Sequence, residues 1–365
     1  MAKVLGWDIG GANTKAAFLV TKKGFVQELK TGTEFFPIWI RGKEHLPSVL
    51  RGLREKLAGS VSLDAVGVTM TAELSDIYET KREGVNHILS CVGQEFLNCP
   101  IFVGDVEGNL KTFKEAREKP LTVAAANWPA TGWMVAQLIR NCVIIDAGST
   151  TTSIIPVLEG KQVASGRNDF EKLVNGELVY TGALRTNVAT IVSRIPVGDV
   201  TAQVSSELFA LSADVHLILG NISEKEYTTE TADNRGKSRK EAMARLARVV
   251  CADEEILSES QIIRIANYVC EKQVEQIVEG LKLVCDRVGR HTEGEMSIAV
   301  AGLGRRFLGK KAAEKAGFSS IIDLGDLLGS EAALATPSVA IALMVATKLE
   351  GRLIKWKRLS KSAAA

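Results

Sequence analysis

Val4-Leu5-Gly6-Trp7-Asp8-Ile9-Gly10-Gly11-Ala12-Asn13-Thr14-Lys15, at the start of the chain, returns in altered form as Val143-Ile144-Ile145-Asp146-Ala147-Gly148-Ser149-Thr150-Thr151. Each copy reads as an apolar strand, an aspartate, a turn of small residues, and hydroxyl or amide residues that begin a second strand. A duplicated fold with one such hairpin per half explains the echo economically. A glycine-rich turn leaves consecutive backbone N–H groups uncovered, and such concavities take anionic oxygens. Gly10, Gly11, Gly148 and the side-chain donors Asn13, Thr14, Ser149, Thr150 and Thr151 are therefore expected to hold a di- or triphosphate. Lys15 adds a cation, unless strand alternation turns it away. Asp8 and Asp146, each ending a strand, are the expected holders of a hydrated Mg²⁺ between the halves, since that ion keeps waters and uses few carboxylates.

Outward from the first hairpin, Phe25–Leu29 reads as a strand, Lys43–Leu57 as a helix with apolar residues at helical spacing, and Asp64–Met70 as a buried strand. Val85–Phe96 reads as a second helix and Cys99–Val103 as a further strand, so the first ~105 residues run βββαβαβ. After the second hairpin come a short strand at Gln162–Ser165, a strand at Val215–Leu219 and another at Met296–Val300. Helices are expected over Ser238–Val250, Ser258–Val288 and Pro337–Arg352. Ala301-Gly302-Leu303-Gly304 follows the Met296–Val300 strand, and Gly302 and Gly304 would let a ligand approach the backbone there. Tyr227–Lys240 is polar and reads as a surface loop over a cleft.

The chain has 365 residues, enough for two domains at roughly 150 residues each. Lys+Arg 45 against Asp+Glu 43 leaves a formal net charge of +2, without the basic excess of a general nucleic-acid binder. No apolar run reaches the ~20 residues of a membrane span. Asp8 interrupts the place where a secretory signal would need its apolar region. The expectation is a cytoplasmic protein with no nucleic-acid or membrane partner. Its oligomeric state is left open, and a homodimer is compatible with the sequence. Cys91, Cys99, Cys142, Cys251, Cys270 and Cys285 form no CxxC pair and have no histidine at ligand spacing, so they read as buried reduced thiols.

Several polar residues outside the hairpins invite roles. Glu73 and Asp76 follow a buried strand three positions apart, so one helical turn would put them on a common face. Either could act as a general base or ligate metal, or simply complement a helix N-terminus. Asp105 ends a strand, where cleft residues often lie, and a turn role is equally open to it. Arg185, Arg235 and Lys237 could grip a phosphate or a carboxylate. Asn127 and Trp128 follow three alanines, and the indole could stack on an aromatic substrate or anchor a junction. His45, His87, His216 and His291 are scattered without evident partners, and His216, in an apolar run, reads as a core imidazole. Residues 353–365 form a basic tail that includes Lys355, Lys357 and Arg358.

Taken together, the two Asp-Gly hairpins and the late Ala301–Gly304 turn resemble the phosphate and nucleoside elements of the actin, Hsp70 and sugar-kinase superfamily. Four further segments narrow the likeness: Thr69–Asp76, Ala124–Trp128, Tyr180–Thr186 and Thr231–Ser238. With them the whole chain resembles the hydantoinase/oxoprolinase-related branch tied to methanofuran biosynthesis in archaea and methylotrophs. The resemblance implies an α/β fold with two RNase H-like domains around a central cleft. The first would cover residues 1–120 and be completed by the helix 337–352, and the second would cover 121–336. It further implies a transferase that joins an aminomethyl-furanmethyl diphosphate to the phenol oxygen of γ-glutamyltyramine or a tyrosine-type acceptor, releasing pyrophosphate. Both substrates are small molecules, Mg²⁺ is the expected cofactor, and ATP is not expected to be consumed. Holding and neutralising the leaving diphosphate is the main demand on such a site. Two rivals share the fold: an ATP-dependent kinase or oxoprolinase-like amidohydrolase, and an ATP-gated activator of a partner protein.

Overall fold

A computed structural model describes residues 1–289 and 296–356. His291 and the basic tail beyond residue 356, with Lys357 and Arg358, lie outside the described residues. The chain divides into two compact units. One comprises Met1–Cys142, Ile155–Lys172 and the chain from Leu324 on; the other comprises Val143–Ile154 and Leu173–Asp323. The first unit thus runs past residue 120, because the helix Asn127–Ala136 packs against the C-terminal helix Thr336–Glu350.

The first sheet holds β1 (Ala2–Ile9), β2 (Asn13–Lys22), β3 (Phe25–Phe35), β4 (Ala65–Met70), β5 (Ile101–Gly104) and β6 (Leu110–Thr112), ordered β3-β2-β1-β4-β5-β6. β1 pairs antiparallel with β2 and parallel with β4. The central strands β1 and β4 are buried on both faces and accordingly read as near-continuous apolar runs. The C-terminal helix lies unusually near the sheet because three glycines make room. A Cβ at Gly6 would stand 2.1 Å from Ser338 O, one at Gly67 3.0 Å from Ile341, and one at Gly104 3.1 Å from Ile341. Across β1 and β4, Gly6 and Gly67 are register partners. The helices Leu46–Ala58 and Lys81–Glu95 bury Leu50, Leu53, Ile88 and Val92 in the core of this unit.

The second sheet repeats the plan. It holds β7 (Cys142–Ala147), β8 (Thr152–Leu158), β9 (Lys161–Gln162), β10 (Leu178–Val179), β13 (Ser297–Ala301) and β14 (Ile321–Asp323), with the separate hairpin β11 (Arg194–Val197) and β12 (Val200–Gln203). Its order is β10-β8-β7-β13-β14, with β9 on β8. The helix Glu259–Gly289 runs 31 residues and buries Ile262, Ile265, Val269, Ile277, Leu281 and Val284. Cys270 and Cys285 both lie on it. Of the six thiols, Cys91, Cys142 and Cys270 are buried as expected, Cys99 and Cys285 are half-buried and Cys251 is exposed.

One element differs in kind from the sequence reading. Val215–Leu219 is not a strand: Ser212–Ile218 is a helix whose seven residues are all buried. An apolar run without polar alternation carries no period to separate the two conformations. Here Asp214 Oδ2 accepts the Leu211 N–H at 2.9 Å and starts the helix.

Candidate functional site

The first hairpin closes with the Gly10 N–H donating to Asn13 O at 3.0 Å, and Asp8 just before it is 7% exposed. Its tip is packed by the turn that follows β4. The Thr71 N–H donates to Ile9 O at 2.9 Å, and a Cβ on Gly11 would stand 2.7 Å from Ser75 Oγ. One of the expected donors points elsewhere: the Lys15 ammonium donates to Leu334 O at 2.9 Å. Thr14 is fully buried and its hydroxyl has no hydrogen-bond partner. Asn127, the first residue of its helix, donates from Nδ2 to Asp8 Oδ1 at a long 3.4 Å. Asp8, the glycine turn and Asn127 therefore gather at the C-terminal ends of the first sheet's parallel strands, the usual site edge of an α/β sheet.

Glu73 and Asp76 do not share a face. Ala72–Leu74 is a single 3₁₀ turn, and Ser75 leaves it in extended conformation, so Asp76 is exposed while Glu73 is 1% exposed. Neither Glu73 carboxylate oxygen has a hydrogen-bond partner. Burial pushes its carboxyl up to about 7. Its own backbone N–H and that of Ala125 lie nearby and offset part of this shift, as does Lys81, while Asp169 reinforces it. Asp105 serves a turn: Oδ1 accepts the N–H groups of Glu107 at 3.0 Å and Asn109 at 2.7 Å, and Oδ2 pairs with Lys111 at 3.2 Å. Trp128 is buried and carries the Lys172 ammonium 4.7 Å from its ring centroid, which leaves stacking on a substrate without support.

The second hairpin reproduces the first, with the Gly148 N–H donating to Thr151 O at 2.9 Å. The Thr181–Thr186 segment wraps it. Ala183 N–H donates to Gly148 O at 2.9 Å, and Arg185 N–H to Ser149 O at 3.0 Å. The half-buried Arg185 guanidinium donates to Thr150 Oγ1 at 3.2 Å, and burial lowers its pKa. The Ala301–Gly304 turn packs onto the same strand end. Gly304 N–H donates to Ala147 O at 2.9 Å, and Gly302, at φ +82°, leaves no room for a Cβ, which would stand 2.3 Å from Ala147 O. What those glycines admit is the chain's own backbone.

Arg235 and Lys237 are engaged locally. Arg235 is exposed and pairs loosely with Asp233 at 4.0 Å, and the Lys237 ammonium sits 5.4 Å from the Tyr227 ring centroid. Their loop is moored rather than merely superficial. Arg245, fully buried, bonds Asp214 Oδ1 from Nε at 2.9 Å, Asp233 Oδ1 at 3.1 Å and Gly236 O at 3.0 Å. Tyr227 OH also donates to Asp214. His216 is a satisfied core imidazole. Asn221 Nδ2 donates to Nδ1 at 3.1 Å, so Nε2 carries the proton to Gln273 Oε1 at 3.0 Å. Burial pushes its pKa down to about 4. Gln273 passes the chain on to Thr181 Oγ1 at 2.9 Å and Gly182 O at 2.7 Å, bracing the segment that wraps the second hairpin. His87 also has a partner, Tyr78 OH at 2.7 Å.

Sequence pattern did not mark Arg245, Gln273 or Lys172. Each is a polar residue on a helix whose neighbours in space come from distant segments. Nor did it mark Ala125, which adopts φ +52° beside Glu73, a conformation alanine rarely takes.

With this geometry in view, the likenesses to known proteins fall into place. The nucleotide-free acetone carboxylase structure superposes at a TM-score of 0.56, with 11% identity, over 94% of this chain and 70% of that one. The architecture is the α/β fold of the actin, Hsp70 and sugar-kinase type. Residues 64–348 match the hydantoinase/oxoprolinase family model, and the chain belongs to that family. A relative from Methanocaldococcus jannaschii is 37% identical over 95% of this chain and 98% of its own. It is a synthase named for its product, a furan-2-yl methanamine joined through a phenoxymethyl link to a γ-L-glutamylaminoethyl group. A second, from Methanococcus vannielii, bears the same name and is 33% identical over 59% of this chain and 95% of its own. No helix among the described residues is long and apolar enough to cross a membrane.

Proposed function

We propose that the chain is a transferase of methanofuran-type cofactor assembly. It would form an aryl ether between a furanmethyl diphosphate and the phenol of a γ-glutamyltyramine-type acceptor, releasing pyrophosphate. The observation that carries the reading is the 37% identity, over nearly the whole of both chains, to a synthase whose named product contains that phenoxymethyl-furan link. The site supports it chemically. The Gly10, Gly148 and Gly304 N–H groups are spent on the chain's own carbonyls. The donors would therefore be the other amides of the two hairpin turns, aimed at oxygens whose charge grows as diphosphate departs. Preorganised donors of that kind stabilise a transition state without reorganising. Arg185, held on the second turn, adds a guanidinium suited to phosphate.

Asp8 and Asp146 are the carboxylates that would hold Mg²⁺. Among the described residues no group of three or more His, Cys, Asp or Glu side chains could hold an ion. One strand-end carboxylate per hairpin fits an ion that brings its own waters and shares a substrate's phosphates. When bound, Mg²⁺ supplies neutralisation of the diphosphate's charge. Asn127 reaches the Asp8 carboxylate over a long contact, the remaining turn amides would orient the leaving group, and ATP would have no part in the balance.

The test is an assay of the furan diphosphate with the phenolic acceptor and Mg²⁺, without nucleotide. Pyrophosphate release matched to ether formation is expected, with added pyrophosphate competing against the furan substrate and raising the melting temperature. Product formed only with ATP, with ADP released in step, would reject this reading in favour of a kinase or amidohydrolase.

A further inference from the structure

We propose that Glu73 takes the proton from the phenolic hydroxyl of the acceptor as the ether bond forms. This rests on the transferase reading and supplies the proton acceptor that reading needs.

Position speaks first. Glu73 sits on the turn whose Ala72 and Ser75 pack against the tip of the first glycine hairpin. From the other side comes Ala125, two residues from the Asn127 that holds Asp8. The second observation is the state of the carboxylate. It is 1% exposed and neither oxygen is hydrogen-bonded. Burying an acid without a partner is costly, and folds retain such groups chiefly where they are used.

The surroundings are built to enclose it. Gly84 admits the close approach of its helix, for a Cβ there would stand 2.6 Å from the Glu73 Cα. Ala125 holds its left-handed conformation at the same place.

The charges facing Glu73 are few. Lys81 comes from the Lys81–Glu95 helix and Asp169 from the Asp169–Val174 helix, and the two pair at 3.3 Å. Tyr78 follows on its own segment, with its hydroxyl turned to His87. The pair is at 28% and 24% exposure, so parting it to admit a phenol would cost less than parting a fully buried pair. Burial, with the carboxyl pushed up to about 7, suits a group that must accept a proton near neutral pH.

The step balances. The phenolic O–H breaks and its proton moves to a Glu73 oxygen. The oxygen's electron pair forms the bond to the furanmethyl carbon, while the carbon–oxygen bond to diphosphate breaks and its pair leaves with pyrophosphate. Glu73 then returns the proton to solvent.

The experiment compares wild type with Glu73→Gln in the full chain, using two acceptors: the ordinary phenol, and a ring-nitrated phenol already ionised at the assay pH. With the ordinary phenol, Glu73→Gln should lose at least ~100-fold in kcat, and with the ionised phenol it should stay within about fivefold of wild type, the signature of a missing base. In wild type kcat/KM should fall on the acid side of about pH 7, and the variant should lack that limb. Rescue by the ionised phenol also shows that the variant is folded. Equal losses with both acceptors, a wild-type rate in the variant, or a change confined to KM for the furan substrate would each overturn the assignment. Failure of wild type to make ether from either phenol would overturn the transferase reading, and this inference with it.

Discussion

At the first hairpin the Gly10 N–H closes on Asn13 O at 3.0 Å; at the second the Gly148 N–H closes on Thr151 O at 2.9 Å. The two turns follow strands that end in an aspartate at the same position. Around this shared backbone the surroundings diverge. The first is packed by a turn carrying a buried acid, Glu73, whose oxygens have no hydrogen-bond partner, and its lysine is engaged at Leu334. The second is wrapped by a segment that lays Arg185 against Thr150 and is braced from beneath by His216 and Gln273. The hairpin backbone is common to both copies, while packing gave one a buried carboxyl and the other a guanidinium. On the reading proposed above, the first would serve proton transfer and the second charge neutralisation.

The largest expected effect breaks the comparison on one side. Arg245→Leu would leave Asp214 buried without its cation, and removing one partner of a buried pair typically costs ~3–5 kcal/mol. A urea melt should show that loss. Hydrogen exchange should show weakened protection at Gly148 and Ala183 while Gly10 keeps its own. Equal loosening of both hairpins would mean that the network serves the whole chain rather than its own unit.

Next in size, Asp8→Asn and Asp146→Asn probe whether the two aspartates remain equivalent. Each should lower turnover at least ~100-fold, the loss typical of removing one preorganised electrostatic contact, with little change in melting temperature. Near-normal rates in both variants, or full activity in excess chelator, would remove metal from the account. A large loss in one alone would assign the ion to that hairpin.

The smallest effect sharpens the comparison at the turns themselves. Neither Gly11 nor Gly148 has a positive φ, so backbone strain does not forbid a side chain at either. A Cβ at Gly11 would meet Ser75 Oγ at 2.7 Å, whereas one at Gly148 would have Thr151 O at 3.3 Å as its nearest neighbour. Gly148→Val should therefore keep its stability to within ~1 kcal/mol, and Gly11→Val should lose about 1–3 kcal/mol as Ser75 is displaced. Both should lose activity if diphosphate approaches the turn amides. An active Gly148→Val would show that the second turn does not carry the leaving group.

Much of this is legible in the sequence, and the reason is local. A β-hairpin announces itself through strand alternation and turn residues within about fifteen positions, and the echo of Asp8 at Asp146 needed only the two stretches side by side. The helices Leu46–Ala58, Glu259–Gly289 and Thr336–Glu350 followed from apolar periodicity and a proline in the first turn. What the chain alone left undecided depends on which distant segment arrives at a residue. Asp105 and Glu73 look alike as carboxylates after buried strands. The hairpin 105–109 saturates one with N–H donors, while the Ala125 turn and the Gly84 helix seal the other from water. Trp128 and Lys172 meet across forty-four positions of sequence, and Arg245 reaches Asp214 across thirty-one. Strand, turn and helix follow from neighbours along the chain. Burial, charge state and the fate of each polar group follow from neighbours in space, and those were decided by the tertiary structure alone.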